Sequence, residues 1–139
     1  LNYVCQNMRM MDRLESQYQT GQDPEDALRL SYLYGEKVLT IAGDKDQPMG
    51  LCGVIKDGCI WCIMTDELFE NKKYKIQLIR KGREWVDNLL KSYKVLYNCV
   101  YAENHAAIKW LEALGFVFIK YHEKYGQHEK PFYEFLRIA

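Results

Sequence analysis

Apolar and polar positions alternate along this chain with two different periods, and the changes of period mark its elements. Over residues 3–19, Val4, Met8, Met11 and Tyr18 recur among polar neighbours at helical spacing, with Asn2 placed to cap the segment. Thr20-Gly21-Gln22 interrupts that pattern. Asp23-Pro24-Glu25-Asp26 then offers a capping carboxylate, a proline at the first helical position and two acids in the first turn, predicting a second helix to about Tyr32. Short stretches rich in Val, Ile and Leu follow at 37–42, 49–56 and 59–65, divided by Gly43-Asp44-Lys45-Asp46 and by Asp57-Gly58. Both central residues of a type I′ turn need positive φ, so Asp57-Gly58 predicts a hairpin and three antiparallel strands.

The helical period returns over residues 72–92, where Ile79, Trp85, Val86, Leu89 and Leu90 share a broad stripe that Tyr93 extends. A buried strand is expected at 95–101, a helix at 104–114, and two closing strands at 116–121 and 132–138 around a polar turn at Gly126. The order ααβββαβαββ predicts one α/β (α+β) domain over residues 1–139, with no internal repeat or linker.

Composition adds limits. Nearly half the residues are apolar, 27% are charged and eleven are tyrosines, which is globular composition throughout. No apolar run reaches the roughly 18 residues that span a bilayer, and no signal-peptide pattern opens the chain, so a soluble cytoplasmic protein is expected. The odd number of scattered cysteines (Cys5, Cys52, Cys59, Cys62, Cys99) suits reduced, buried thiols. Net charge is zero, but residues 1–70 hold six Lys/Arg against twelve Asp/Glu and residues 71–139 hold thirteen against seven. An anionic ligand should therefore meet the second half, while overall neutrality argues against nucleic acid.

The most informative stretch is Asn104-His105-Ala106-Ala107-Ile108-Lys109-Trp110-Leu111-Glu112-Ala113-Leu114-Gly115-Phe116. Asn104 is placed as an N-cap, Ala107, Ile108, Leu111 and Leu114 form an apolar face, and Gly115 can take the left-handed conformation that ends a helix. Strand, then Asn-x-x-Ala, then an apolar helix ending Leu-Gly-Phe, then strand, resembles the motif after the fifth strand of the GNAT superfamily of N-acetyltransferases. The preceding two helices, three strands and long helix match that fold, whose first strand is missing from the pattern. Asn7-Met8-Arg9, Asp12, Glu15, Ala27-Leu28, Ser31, Trp61, Thr65-Asp66, Leu96-Tyr97-Asn98 and Ile108-Lys109-Trp110-Leu111 are further similar to a group of small bacteriophage proteins that includes the internal virion protein A of short-tailed phages.

The resemblance implies a GNAT-like, mostly antiparallel sheet flanked by helices, with acetyl-CoA bound where two neighbouring strands part. Backbone groups of Ile63, Met64 and Thr65 would meet the pantetheine arm, and Asn104, Ala107 and Trp110 would wall the channel; Trp110 is most simply a core aromatic. The family's glycine-rich phosphate turn would fall within residues 65–75, which contain no glycine. Lys72, Lys73 and Lys75 stand nearby as substitute phosphate contacts or as a solvated basic face. The tyrosine acid of many GNAT enzymes is replaced by Leu111, leaving Tyr101 or water to protonate a thiolate, although Tyr101 is more simply an ordinary aromatic strand residue. Asp66, Glu67, Asp12 and Glu15 are the candidate bases for an amine acceptor, although for any single one of them a surface ion pair or helix-start carboxylate is the simpler reading.

Cys59-Ile60-Trp61-Cys62 is not a metal motif, because strand residues three apart face opposite sides and no second pair follows. Two functions remain in view. One is acetyl-CoA-dependent N-acetylation of an amine, on a host or phage protein; the other is an inactive GNAT scaffold serving as a virion component or host-protein binder.

Overall fold

The structure, a computed structural model, describes all 139 residues. Helices α1 (Asn2–Asn7), α2 (Met10–Thr20) and α3 (Pro24–Tyr34) precede strands β1 (Glu36–Ala42), β2 (Pro48–Ile55) and β3 (Cys59–Met64). Helices α4 (Asp66–Glu70) and α5 (Lys72–Leu89), strand β4 (Val95–Tyr101), helix α6 (His105–Ala113) and strands β5 (Val117–Tyr125) and β6 (Lys130–Ile138) complete the chain. The six strands form one sheet in the order β1-β2-β3-β4-β6-β5, antiparallel except where β3 meets β4. The mixed, mostly antiparallel sheet flanked by helices is the expected fold.

Both faces of the sheet are covered at its centre, and β3 shows how. Ile60 and Met64 join the larger core with Leu78, Val86 and Leu89 of α5 and Trp110 and Leu111 of α6. Trp61 and Ile63, pointing the other way, meet the smaller core of Val4, Cys5, Met8, Leu28 and Leu51. Gly82 lets α5 and α6 approach, since a Cβ there would lie 2.9 Å from Leu114 Cδ2.

Several sequence expectations are corrected. The first helix is two, because Met8 leaves helical geometry and forms an isolated antiparallel bridge with Thr65. Asn2 lies inside α1 and binds Arg29 instead of capping. Helix α4 occupies the stretch expected to be a turn, and α5 also buries Tyr74 and Leu78. Asn104 precedes α6 without a capping hydrogen bond; its side chain is used elsewhere. Cys52 and Cys62 face each other across β2 and β3, Cα atoms 4.2 Å apart, and are joined as a disulfide. The all-reduced expectation therefore fails for this pair, because strand register brings together cysteines that linear spacing leaves unrelated. Cys5, Cys59 and Cys99 are free thiols.

Two turns behave as their residues require. Asp57 and Gly58 both have positive φ, 70° and 98°. Gly115 ends α6 at φ 89°, with Phe116 N–H donating to Leu111 O and Gly115 N–H to Glu112 O, the paired bonds of a Schellman ending. Gly115→Ala should cost about 1 kcal/mol from the positive φ alone, since its Cβ would make ordinary contact with Arg137 at 3.5 Å. Gly58→Ala should cost clearly more, because its Cβ would also run into the Val95 carbonyl. Urea denaturation of the two variants checks the order.

Candidate functional site

The site follows from a defect in the sheet. Strands β3 and β4 run parallel but are paired only at Cys59 and Tyr97, so their C-terminal halves diverge and leave edge groups without a ladder partner. In α2 and the residue before it, Arg9, Asp12, Glu15 and Gln19 recur at three- and four-residue spacing and share one face. That face lies along the gap.

It stitches the gap shut on the α2 side. Arg9 N–H donates to Met64 O at 2.9 Å, and Met64 N–H donates to Asp12 Oδ2 at 2.9 Å. On the other edge, Tyr101 N–H donates to Glu15 Oε1 at 2.7 Å, and Asn104 Nδ2 reaches the same oxygen at 3.3 Å. Gln19 Nε2 donates to Asn98 Oδ1 at 2.9 Å, while Asn98 Nδ2 crosses to Ile60 O at 2.6 Å. Arg9 also holds Asp12 Oδ1 at 3.1 Å and stacks its guanidinium 4.4 Å from the centre of the Phe69 ring. Strand alternation puts the backbone groups of Cys62, between Ile60 and Met64, on the same edge.

Burial sets the charges. The Asp12 carboxyl is pushed up to about 6, chiefly by loss of water, with Arg9 and the Met64 amide opposing. Glu15 is pushed up to about 8, first by burial and then by the neighbouring Asp12 charge. Glu15 is therefore mainly protonated at neutral pH. Asn104 Oδ1, fully buried, has no hydrogen-bond partner; a protonated carboxyl beside it is the kind of donor that it lacks.

Three hollows lie in or near the gap. The space inside it is small, about 60 Å³, lined by Glu15, Trp61, Asn98, Ala107, Trp110 and Leu111 among others. A hollow of about 330 Å³ lies on the α2 and α3 side, sharing Glu15, Trp61, Cys62, Asn98 and Cys99 with it. The third, about 400 Å³, opens between α5 and α6 with Lys75, His105 and Lys109 on its walls.

The model of a family described as "Bacteriophage T7, probable scaffold protein Gp13" matches residues 37–123. The chain belongs to that family. Among solved structures, it is similar to spermidine N-acetyltransferase from Vibrio cholerae, solved with CoA and spermine: 17% identity over 99% of this chain and 88% of the other, TM-score 0.67. A GNAT-family acetyltransferase from Bacillus anthracis matches with 14% identity over 92% of this chain and 83% of its own, TM-score 0.64. At these identities the likeness establishes the GNAT fold. No curated protein sequence matches the chain.

A member of this phage family with a GNAT fold raises the question of CoA, and the residues present do not fit it. Both backbone groups of Met64 that a pantetheine arm would use are taken by Arg9 and Asp12. At the start of α5, where a phosphate would seek free amides, Asn71 Oδ1 already accepts from Lys73 N–H at 2.9 Å. Lys73 Nζ is held by Asp44 at 3.0 Å and Lys72 is exposed, while Lys75 lines the hollow between α5 and α6. The space inside the gap, about 60 Å³, is much smaller than the hollow of about 330 Å³ on the α2 and α3 side.

The remaining candidates are dispersed. Ile63 points into the smaller core and Thr65 is tied to Met49 O, its hydroxyl at 3.2 Å. Ala107 lines the gap, and Trp110 is a core residue whose Nε1–H reaches Leu78 O at 3.3 Å. Tyr101 packs edge-on to Tyr18 of α2 at 5.2 Å and against Phe132, away from the core that holds Leu111. Burial raises its phenol. Asp66 opens α4 in an exposed position, and Glu67 accepts from Gln47 at 2.6 Å. Of the four candidate bases, the structure brings only Asp12 and Glu15 together. The Gln19–Asn98 and Glu15–Asn104 contacts, 79 and 89 residues apart in sequence, were not anticipated; the one available signal was the polar face of α2.

Proposed function

We propose that this phage protein keeps the GNAT fold as a non-catalytic scaffold, acting in virus assembly by binding a phage or host protein rather than acetyl-CoA. The observation that carries this reading is the occupation of both strand edges of the cleft by side chains of the protein's own α2. The family description, the Asn71 cap on one amide at the α5 start and Leu111 in place of a proton donor point the same way. In this account Asp12 and Glu15 are positioning residues that close the sheet, not bases.

The second reading, acetyl-CoA-dependent transfer to an amine, is favoured by one feature: the basic hollow between α5 and α6 beside strands that do part. Thermal unfolding with millimolar acetyl-CoA separates the two. A ligand at a hundred times its dissociation constant adds about 2.7 kcal/mol of stability. No shift, and no thiol release when amines are added, is expected; a shift of that size that is lost in Lys75→Glu would replace the scaffold reading with the transferase one.

A further inference from the structure

A further cavity lies on the β1 side of the larger core and shares Trp85 and Trp110 with the space inside the gap. It lies between edge strand β1 and α5, about 240 Å³ in volume, with Met49, Leu68, Leu78 and Trp110 on its walls and Leu39 and Lys81 among its lining residues. We propose that it binds a small amphiphilic carboxylate, with the apolar tail among those side chains and the head at Lys81.

Size and lining favour such a tail. A dry cavity of about 150 Å³ walled by aliphatic and aromatic groups takes benzene, so the larger space here suits a chain of roughly eight carbons. The wall also includes Trp85, whose Nε1–H is buried without any hydrogen-bond partner. A buried donor left unpaired is uncommon and calls for a partner. One irregularity in the β1–β2 register, between Glu36 and Leu39, precedes the stretch of β1 that forms the cavity wall, and a second, between Ile41 and Ala42, falls within it. Breaks of this kind re-aim strand side chains beside binding sites.

Charge selects the head. No acid lines the cavity, and Lys81 is exposed and engaged in no ion pair. Gln77, half-buried on the same wall, supplies a second polar group. Residues 72–83 carry six cations and no acid, so the local field attracts an anion. A carboxylate at Lys81 gains a charge-assisted hydrogen bond that an alcohol forms less well and an ammonium not at all.

Isothermal titration of the full chain with octanoate tests this, alongside octanol and octylammonium. One-to-one binding of octanoate is expected, with affinity falling about tenfold in Lys81→Gln. Leu39→Trp, which fills the cavity from an exposed edge strand, should abolish binding; Lys81→Gln, an exposed helix substitution, keeps the test valid should the tryptophan unfold β1. Absence of octanoate binding at millimolar concentration, equal affinity for octylammonium, or binding untouched by both substitutions would each overturn the proposal.

Discussion

At pH 8, Asn104→Asp is expected to lose about 3–5 kcal/mol of stability, the range seen when a buried charge is left without compensation. Asn104 is fully buried, and its Nδ2 donates to Glu15. Aspartate in its place removes that donor and adds a third acid beside Asp12 and Glu15, two groups that burial already disfavours as anions. Lowering the pH protonates the cluster and relieves the repulsion, so much of the loss should be regained at pH 5. Urea denaturation at the two pH values measures both effects. Equal losses at pH 5 and pH 8 would mean that charge is not the cause.

Glu15→Gln is the complementary case, and its sign is opposite to that of most carboxylate substitutions. The folded pKa of Glu15, about 8, lies above its ordinary value of 4.5, so between these values the native state binds more protons than the unfolded state. Stability then falls as pH rises through that window. Asp12, raised to about 6, contributes in the same direction at the lower end. Glutamine reproduces the shape of the protonated acid and still accepts from Tyr101 N–H, but it does not titrate. The variant should match the parent at about pH 4, below both values, exceed it at pH 8, and show a flatter pH profile in thermal unfolding. A Glu15→Gln variant less stable than the parent at pH 8 would mean that Glu15 serves as an anion.

How far these features could be read in the sequence depended on whether they were local. Asp57-Gly58 and Leu114-Gly115-Phe116 announce their turns because φ preference and capping act over a few residues, and both have the expected geometry. The apolar periods placed every strand to within a few residues, although the last two are longer than their apolar cores because polar residues from His122 to Tyr125 and at Lys130 continue the ladder. Helix α4 was not legible, since five polar and apolar residues carry too little pattern to outweigh an expected turn.

The candidate site was legible in pieces only. The sequence put Asp12 and Glu15 on one face with Arg9 nearby, and it flagged Asn104 as special. It could not show that Asn104 turns away from the helix that it precedes to meet Glu15, because an N-cap is the nearer local use of an asparagine. Nor could it show that α2 fills the cleft that the GNAT resemblance leads one to expect open. That outcome depends on where a helix comes to rest against two diverging strands, a matter of tertiary packing.

The central claim is that α2 closes the gap between β3 and β4, and amide hydrogen exchange at two residues tests it most directly. Met64 and Tyr101 N–H point away from any strand partner and owe their protection to Asp12 and Glu15. Both should exchange within about tenfold of the slow amides in the β4–β6 ladder. Exchange at both sites as fast as in the turn around Gly126 would show a cleft open to water, and the closed-scaffold account would be wrong.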